Sequence, residues 1–284
     1  MGRGSILKTF SEADIESLRP AMKIGLLATV NNEGLPHITL LSSLQAASSH
    51  TLTFGQFIEG LAEFHVRKNP RVGFLVMTLK REIWRGTAVF TGTTRSGPEL
   101  DAYNQVPMFR YNAYVGIHTV FSFDLVEHGG REPLPTGRVV VAALTTKFAG
   151  LLTPSGPSRV LNLWSRQLLD GTRNLKFAAF VDSNGFPRII PVIQARSCPG
   201  DRVIFSLAAF GQELRTVPSN AKVAVFGMTL NMESVLVRGP SLGTQWFGFF
   251  RCGVMKAEWV YNPMPPVPGQ IYPPTELQPV THFD

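Results

Sequence analysis

The sequence predicts a mainly β protein with a few short helices, made of two tandem six-stranded units, each a small barrel or sandwich. Two observations lead to this prediction: an internal repeat, and a series of short apolar segments separated by turn residues. The predicted hairpins leave no room for crossover helices, so a parallel α/β sheet is excluded.

The internal repeat is clearest at two predicted hairpin turns. Residues 32–36 (NEGLP) align with residues 183–187 (SNGFP), and the same register places the tripeptide MTL at residues 77–79 over MTL at residues 228–230. Further aligned pairs are Phe54 with Phe205, Gly60 with Gly211, Asn69 with Asn220 and, after two inserted residues, Arg85 with Arg238. This many matches in one register indicate two copies of one unit.

The elements of each copy follow from apolar patterning and turn residues. Gly34 can supply the positive φ of a tight turn after the first apolar segment, and Leu61, Phe64 and His65 recur at helical spacing. In the first copy, strands are predicted at residues 24–30, 36–44, 51–57, 72–79 and 83–92, with a helix at 60–69. In the second copy, strands are predicted at residues 177–181, 187–195, 202–208, 223–230 and 234–239, with a short helix ending near 220.

The remaining segments join or follow the two copies. Residues 97–114 are predicted as an aromatic helical or irregular excursion, followed by a strand at 116–126, and two helices at 138–149 and 161–169 connect the copies. The proline-rich end is predicted to be extended chain. The predicted division is a first repeat at 1–150, a second at 151–262 and a tail at 263–284.

The composition excludes several classes of protein. With 44% hydrophobic residues, the chain can bury enough apolar surface to fold. The formal charge of +7 comes from scattered basic residues rather than a stripe with aromatic platforms, so no nucleic-acid partner is predicted. No apolar run is long enough to span a membrane, and no membrane partner is predicted. The two cysteines and the absence of a signal-like N-terminal segment lead us to expect a cytoplasmic protein.

No local motif assigns catalytic chemistry to a side chain. The sequence lacks a dinucleotide fingerprint, a P-loop, a nucleophile elbow and a zincin motif, and its six histidines never pair at i, i+4. We therefore expect no metal site and name no catalytic residue. If the protein is an enzyme, a bound cofactor is expected to carry the chemistry.

The order of motifs resembles the pyridoxamine 5′-phosphate oxidase-like superfamily of FMN-binding split barrels. The matching segments are residues 27–30 (LATV), 34–37 (GLPH), 52–54 (LTF), 68–72 (KNPRV) and 84–86 (WRG), and the second copy repeats them more weakly. This resemblance implies two six-stranded split β-barrels packed as a pseudo-dimer. It also implies FMN in a groove between them and an oxidoreductase reaction on a small molecule. A deazaflavin could replace FMN, and the chain is either a monomeric pseudo-dimer or a homodimer.

One departure from the family pattern concerns the FMN phosphate. The family usually places a basic residue near the start of the short helix, whereas this chain has Glu63 in the first copy and Glu213 in the second. A carboxylate repels a dianionic phosphate. Either Arg67, Lys68, Arg215 and helix N–H groups hold the phosphate, or the site is altered or lost.

The resemblance also suggests cofactor-binding candidates, each with a structural alternative. Gln56, between Gly55 and Phe57, could bond a flavin edge or face solvent at a strand end, and Trp84 could stack on a flavin or pack in the core. Arg85 and Arg238 could bind phosphate or form structural ion pairs. The remaining candidates are His37 and Arg188 at matching hairpin positions, Ser42 and Ser206 as hydroxyl donors, and Tyr103, Tyr111 and Tyr114 as caps of a substrate pocket.

Two alternatives to a flavin enzyme remain open. A non-catalytic protein of this fold could bind flavin, or could bind haem with His282 as an axial ligand. A divergent scaffold could have lost its cofactor site, as the two glutamates suggest.

Overall fold

The structure of the protein is a computed structural model that describes residues 6–109, 116–264 and 268–275. The helices are α1 (Glu12–Leu18), α2 (Leu61–Lys68), α3 (Pro98–Asn104), α4 (Thr136–Leu151), α5 (Leu163–Asp170) and α6 (Gly211–Leu214). The first eight strands are β1 (Lys23–Val30), β2 (Pro36–Leu40), β3 (Gln45–Ala46), β4 (Thr51–Gln56), β5 (Arg71–Thr78), β6 (Glu82–Thr94), β7 (Thr119–His128) and β8 (Glu132–Pro133). The others are β9 (Leu175–Val181), β10 (Pro187–Pro191), β11 (Arg196–Cys198), β12 (Arg202–Ser206), β13 (Lys222–Met228), β14 (Ser234–Phe247), β15 (Phe250–Lys256), β16 (Trp259–Asn262) and β17 (Gly269–Tyr272).

The strands form two sheets with the same order. The first sheet runs β2-β1-β5-β6-β7-β4-β3, and the second runs β10-β9-β13-β14-β15-β12-β11. Both are built from antiparallel pairs, such as β1 with β2, β5 with β6 and β14 with β15. The prediction of a mainly β fold in two tandem units is therefore confirmed. No helix in the described ranges combines the length and apolar character needed to cross a membrane.

The two hairpins that revealed the repeat have matching hydrogen bonds. Asn31 Oδ1 accepts the backbone N–H groups two and four residues further on, at 3.0 and 2.8 Å. Asp182 Oδ1 accepts the equivalent pair at 2.9 and 3.0 Å. Gly34 and Gly185 then take φ values of +75° and +79°, in the left-handed region that favours glycine. The side chain before each turn and the glycine within it thus set the same geometry twice.

Arg85 and Arg238, which the repeat aligns, also occupy equivalent positions in the two sheets. The carbonyl of Arg85 accepts the N–H of Gly129, and that of Arg238 accepts the N–H of Glu258, both at 2.9 Å. The glycine that follows each arginine lies against the next strand, because a Cβ there would overlap a carbonyl oxygen of β7 or β15. Glycine is therefore required by close backbone approach at both positions.

The structure differs from the predicted elements at strand ends. The predicted strand 36–44 stops at Leu40, because the N–H of Leu41 donates to the carbonyl of Gly25 and the chain then turns before β3. The strand predicted at 234–239 continues to Phe247, and β15, β16 and β17 were not predicted. The proline-rich tail was predicted as extended chain, either docked or loose, and part of it is β17, which pairs with β16.

The chain divides by contacts into two compact units, whereas the predicted division follows the repeat. Unit 1 comprises Met1–Arg138, Ala178–Pro191 and Ala221–Ala224, and unit 2 comprises the remaining ranges, Val139–Phe177, Val192–Asn220 and Val225–Asp284. The core of unit 1 is an aromatic cluster that includes Phe54, Phe74, Trp84, Phe121 and Phe123.

Unit 1 includes the hairpin that joins β9 to β10, and a glycine allows that hairpin to pack on the first sheet. A Cβ on Gly73, in β5, would overlap the carbonyl oxygen of Pro187. Beside this contact, Arg188 donates to Asp182 and to Glu127 at 2.7 Å each. Burial alone would lower the pKa of Arg188, but these two carboxylates outweigh it and raise that pKa.

In unit 2, a buried lysine lies at the end of α5. The ammonium group of Lys176 donates to the carbonyls of Leu169 and Gly171 at 3.2 and 3.1 Å, where a cation complements the helix dipole. Burial lowers the pKa of Lys176 to about 8, although Asp170 partly opposes this effect. In unit 1, Lys23 is also buried with its pKa lowered to about 8, and it donates to the carbonyl of Pro20 at 2.8 Å.

Substitution of Gly73 tests the packing of the hairpin. Gly73→Ala is expected to destabilise the protein by about 1–3 kcal/mol, because the added methyl must displace the backbone of Pro187. Gly92, in β6, has open space where a Cβ would lie, so Gly92→Ala is the matched control and should be neutral or stabilising. Thermal unfolding of the three proteins measures the difference. Equal melting temperatures for the two variants would contradict this contact.

The buried lysines predict a pH dependence of stability. Lys176 releases its proton near pH 8 when folded but near its ordinary pKa of 10.5 when unfolded. The unfolded chain binds more protons between these values, so this group makes the free energy of unfolding rise with pH, by at most about 1.4 kcal/mol per pH unit. Denaturant unfolding at pH 7.0 to 9.5 should therefore show a wild-type stability that rises relative to Lys176→Met. Parallel curves for the two proteins would refute the prediction, and Lys23→Met provides an independent repeat.

Candidate functional site

A hydrogen-bonded polar cluster lies where β4 ends and α2 begins. Gln56, the last residue of β4, is buried, and its Nε2 donates to Glu63 Oε2 at 2.7 Å. The other carboxylate oxygen of Glu63 accepts from Arg67 Nη2 at 3.0 Å, one helical turn along α2. The carboxylate of Glu63 therefore already accepts hydrogen bonds from two candidate cofactor ligands, the amide of Gln56 and the guanidinium of Arg67.

The charge of Glu63 is stabilised by its neighbours. Partial burial acts to raise the pKa of Glu63, but hydrogen bonds from Gln56 and Arg67, with the charges of Arg67 and His118, outweigh it and lower the pKa. Arg67 also lies over the ring of Phe121, 5.9 Å from its centroid. Glu63 therefore remains an anion at neutral pH, paired with a half-exposed cation.

His118 connects this cluster to a cavity. Its backbone N–H donates to the carbonyl of Gln56 at 3.2 Å, and its Nδ1 lies 2.8 Å from the hydroxyl of Thr119. The cavity is an open recess with a volume of about 620 Å³, and it is lined by Asp101, Asn104, Gln105, Gly116, Ile117 and His118. The lining residues thus include one with a carboxylate, two with amides and one with an imidazole.

The wall of the cavity is held by α3. Asn104 donates through Nδ2 to the carbonyl of Ile117 at 2.9 Å and accepts the N–H of Ile117 at 3.0 Å. The preceding Tyr103 is buried, and its hydroxyl bonds to Thr53 Oγ1 at 2.8 Å and to the carbonyl of Ser43 at 3.2 Å. Burial raises the pKa of Tyr103 well above its ordinary value. Tyr103 is thus a core residue that anchors α3.

The start of α2 does not fit a phosphate dianion. Gly60 precedes the helix without a side-chain cap, and Glu63 in the first turn places a carboxylate where a helix dipole favours an anion. Arg67 is already paired with that carboxylate, and Lys68 is exposed at the far end of the helix. At the start of α2, the ion pair of Glu63 with Arg67 therefore supplies no net positive charge for a phosphate.

The other candidates on β4 and the preceding turn lie close to this cluster. Gly55 is tightly packed, since a Cβ there would meet the side chain of Ile117. Phe57 is partly buried, with its ring 5.6 Å from that of Phe109. Ser42 is a half-buried residue in the turn after β2.

Several candidates in unit 1 lie in the core or in ion pairs. His37 is buried with its ring 5.2 Å from that of His65. Trp84 is completely buried and donates from Nε1 to Asp14 at 2.8 Å, so its ring packs in the core. Arg85 pairs with Glu132 at 2.7 Å. Arg188 belongs to the ion pairs described above.

The cofactor-binding candidates in unit 2 each have separate contacts. Ser206 is buried, and its Oγ accepts the N–H of Ala208 at 3.2 Å. Arg238 stacks 4.0 Å from the ring centroid of Trp259, and Arg215 is exposed at the end of α6, next to Glu213. The remaining candidates, Tyr111, Tyr114 and His282, lie outside the described residues.

The residues that line the cavity were not predicted from the sequence. Asp101, Asn104 and His118 belong to no local motif, because a long segment separates α3 from β7. The available signal was the length of the connection: residues 95–118 join β6 to β7, but only residues 248–249 join β14 to β15. An insertion in one copy of a repeat is a common place for a binding site. Within the described ranges, no group of three or more His, Cys, Asp or Glu residues is placed to hold a metal ion.

The chain was compared with known proteins. No protein-family model matches it, and no curated protein is similar to it. Among solved structures, an FMN-binding protein from Syntrophomonas wolfei matches with a TM-score of 0.35 and 13% identity, covering 41% of this chain and 84% of that one. An F420 reductase matches with a TM-score of 0.34 and 14% identity, covering 42% and 98%. A Lactobacillus delbrueckii protein named as a pyridoxamine 5′-phosphate oxidase matches with 0.33 and 15%, covering 43% and 94%.

The name of the third match is that of the family that the sequence motifs resemble. Each match covers less than half of this chain but most of its own length. At such identities and TM-scores, the likeness assigns no function.

Proposed function

We propose that this chain binds a flavin-type cofactor and acts as an oxidoreductase on a small molecule. The proposal rests on the motif order found in both copies and on the matching order of the two sheets. The observation that carries it furthest is the cavity of about 620 Å³, whose lining residue His118 donates its backbone N–H to the carbonyl of Gln56. This volume lies within the range of about 300–1,000 Å³ that is usual for small-ligand sites.

In this proposal, the chain positions the ring and shields it, while the flavin supplies hydride or electron exchange. Gln105 and His118, which line the cavity, provide hydrogen bonds to a polar ring edge. Asn104 keeps the cavity wall in place through its two bonds to Ile117. His118 and Asp101 also line the cavity and are available to bind a polar small molecule.

The phosphate of FMN has no suitable partner at the start of α2. Glu63 neutralises Arg67 and presents its own negative charge there. A phosphate should therefore add little affinity in the native protein. FMN, riboflavin and a deazaflavin are all candidate cofactors on this basis. The haem alternative depended on His282, which lies outside the described residues, and the comparisons give it no support.

The first test is the visible spectrum of the purified, untagged protein, followed by titration with FMN and with riboflavin. We expect flavin binding with dissociation constants that agree within about threefold for the two ligands, because the start of α2 supplies no net positive charge for the phosphate. Fluorescence quenching of the flavin measures both constants. A colourless protein that takes up neither flavin nor deazaflavin at 100 µM would refute the proposal.

Substitution of Glu63 should change the preference between these ligands. Glu63→Gln removes the negative charge, keeps the side-chain size and frees Arg67, so FMN should become at least about tenfold tighter relative to riboflavin. The matched control is the double variant Glu63→Gln with Arg67→Met, which should restore the wild-type ratio. An unchanged ratio in Glu63→Gln would show that the phosphate does not lie near α2.

A scaffold with an altered cofactor site is the second candidate function. The bonds that tie Gln56 and Arg67 to Glu63 favour it, since they occupy the groups that a cofactor would use. Absence of flavin uptake by both the native protein and Glu63→Gln, with each protein folded, would select this alternative.

A further inference from the structure

One face of α4 is apolar and exposed. Val140, Leu144, Phe148 and Leu152 follow one another at intervals of four residues, and each is between 52% and 55% exposed. Side chains at this spacing form one continuous ridge along a helix. Leu151, which is 76% exposed, and the exposed Val141 lie next to it.

The opposite face of α4 is already buried in unit 2. Val139, Ala142, Thr146 and Ala149 are buried there, and Thr146 Oγ1 accepts the N–H of Ser206 at 2.9 Å. The helix is thus apolar on both faces, which is characteristic of a helix that is covered on all sides. One face of α4 packs in the core of unit 2. We therefore expect a second surface to cover the exposed ridge.

The ridge continues onto the turn between β14 and β15. Phe148 stacks on Phe250 with ring centroids 6.3 Å apart, and Leu152 lies so close to Gly248 that a Cβ there would be 2.9 Å from its methyl group. The next residue, Phe249, is 96% exposed, and Trp246 is 67% exposed. We call this surface the α4 patch. Its residues are Val140, Val141, Leu144, Phe148, Leu151 and Leu152, with Trp246, Phe249 and Phe250 at the turn.

The size of the α4 patch exceeds what a monomer usually exposes. From the areas of aromatic and aliphatic side chains, it presents roughly 800 Å² of apolar surface. The largest apolar patch on a typical monomer is about 300–600 Å². A stable protein interface buries about 800 Å² on each partner.

We propose that the α4 patch is the interface with a second copy of this chain. A ridge at four-residue spacing packs into the matching grooves of an identical helix, crossing at about −50°. A two-fold axis near Leu144 and Phe148 would bring each ridge against the other and bury the patch on both chains. This pairing is independent of the proposed function.

The charges around the patch favour a protein partner over an anionic membrane. The ridge itself carries no charge, and the basic residues of α4 are Arg138 and Lys147. Arg251, beside the turn, is held by Thr244 and lies over Trp246. Membrane recognition usually needs a cluster of four to eight basic residues, which these positions do not form.

Sedimentation velocity of the full chain from 1 to 100 µM tests the proposal. We expect a dimer, and the double variant Leu144→Glu with Phe148→Glu should weaken dimerisation at least 100-fold, because it places four buried charges in the interface. Leu79→Glu and Leu230→Glu are matched controls, since both leucines are equally or more exposed but lie in strand-connecting turns. They should leave the dimer unchanged.

A cross-linking experiment keeps the proposal testable if the charged variant fails to fold. Phe148→Cys lies near the proposed axis and should form an intermolecular disulfide under mild oxidation, whereas Leu79→Cys should not. A monomeric wild-type protein at 100 µM would overturn the proposal, as would a dimer that resists the charged variant and gives no Phe148→Cys cross-link. A monomer that co-sediments with phosphatidylserine vesicles, and loses this with the charged variant, would overturn it in favour of a membrane.

Discussion

Close approach between neighbouring backbones is the constraint on which both sheets depend. At Gly86 and Gly239, a strand lies so near the next one that any side chain would overlap a carbonyl oxygen. At Gly73, the same condition allows a hairpin to pack on the face of the first sheet. Such contacts bring main chain against main chain and leave no space for a side chain. The matching glycines in the two copies show that the repeat preserves this geometry.

The chemistry of the candidate site depends on one carboxylate. Glu63 accepts hydrogen bonds from Gln56 and Arg67, and its negative charge stands at the start of α2. In most settings a helix start with an arginine nearby would attract a phosphate. Here the helix provides its own anion. The cluster is therefore complete without a ligand, and the open space for one is the neighbouring cavity rather than the helix start.

The strands and the repeat could be predicted because they depend on local chemistry. The turn at Gly34, and its partner at Gly185, require residue types that the sequence displays directly. The strand ends were less accessible, since Leu40 terminates β2 only because the next N–H bonds to Gly25 across the sheet. The cavity was least accessible. Asn104 and the backbone of Ile117 meet only after the chain has folded, and no sequence interval links them.

The candidate site residues were also predictable only in part. Gln56 was a candidate because of the family resemblance, but its bond to Glu63 depends on the position of α2 relative to β4. Trp84 was an open choice between stacking and packing, and its complete burial follows from contacts made by distant strands and from Asp14. Residue type therefore indicated which groups were chemically capable, while tertiary structure determined which were already engaged.

The unequal connections between strands have a consequence for stoichiometry. Residues 95–118 separate β6 from β7, and they include α3 and most of the cavity wall, whereas two residues make the equivalent connection in the second copy. The internal symmetry of the strands thus does not extend to the recess built on them. We therefore expect one bound molecule per polypeptide, because the second copy has only a two-residue connection where the first copy builds the recess.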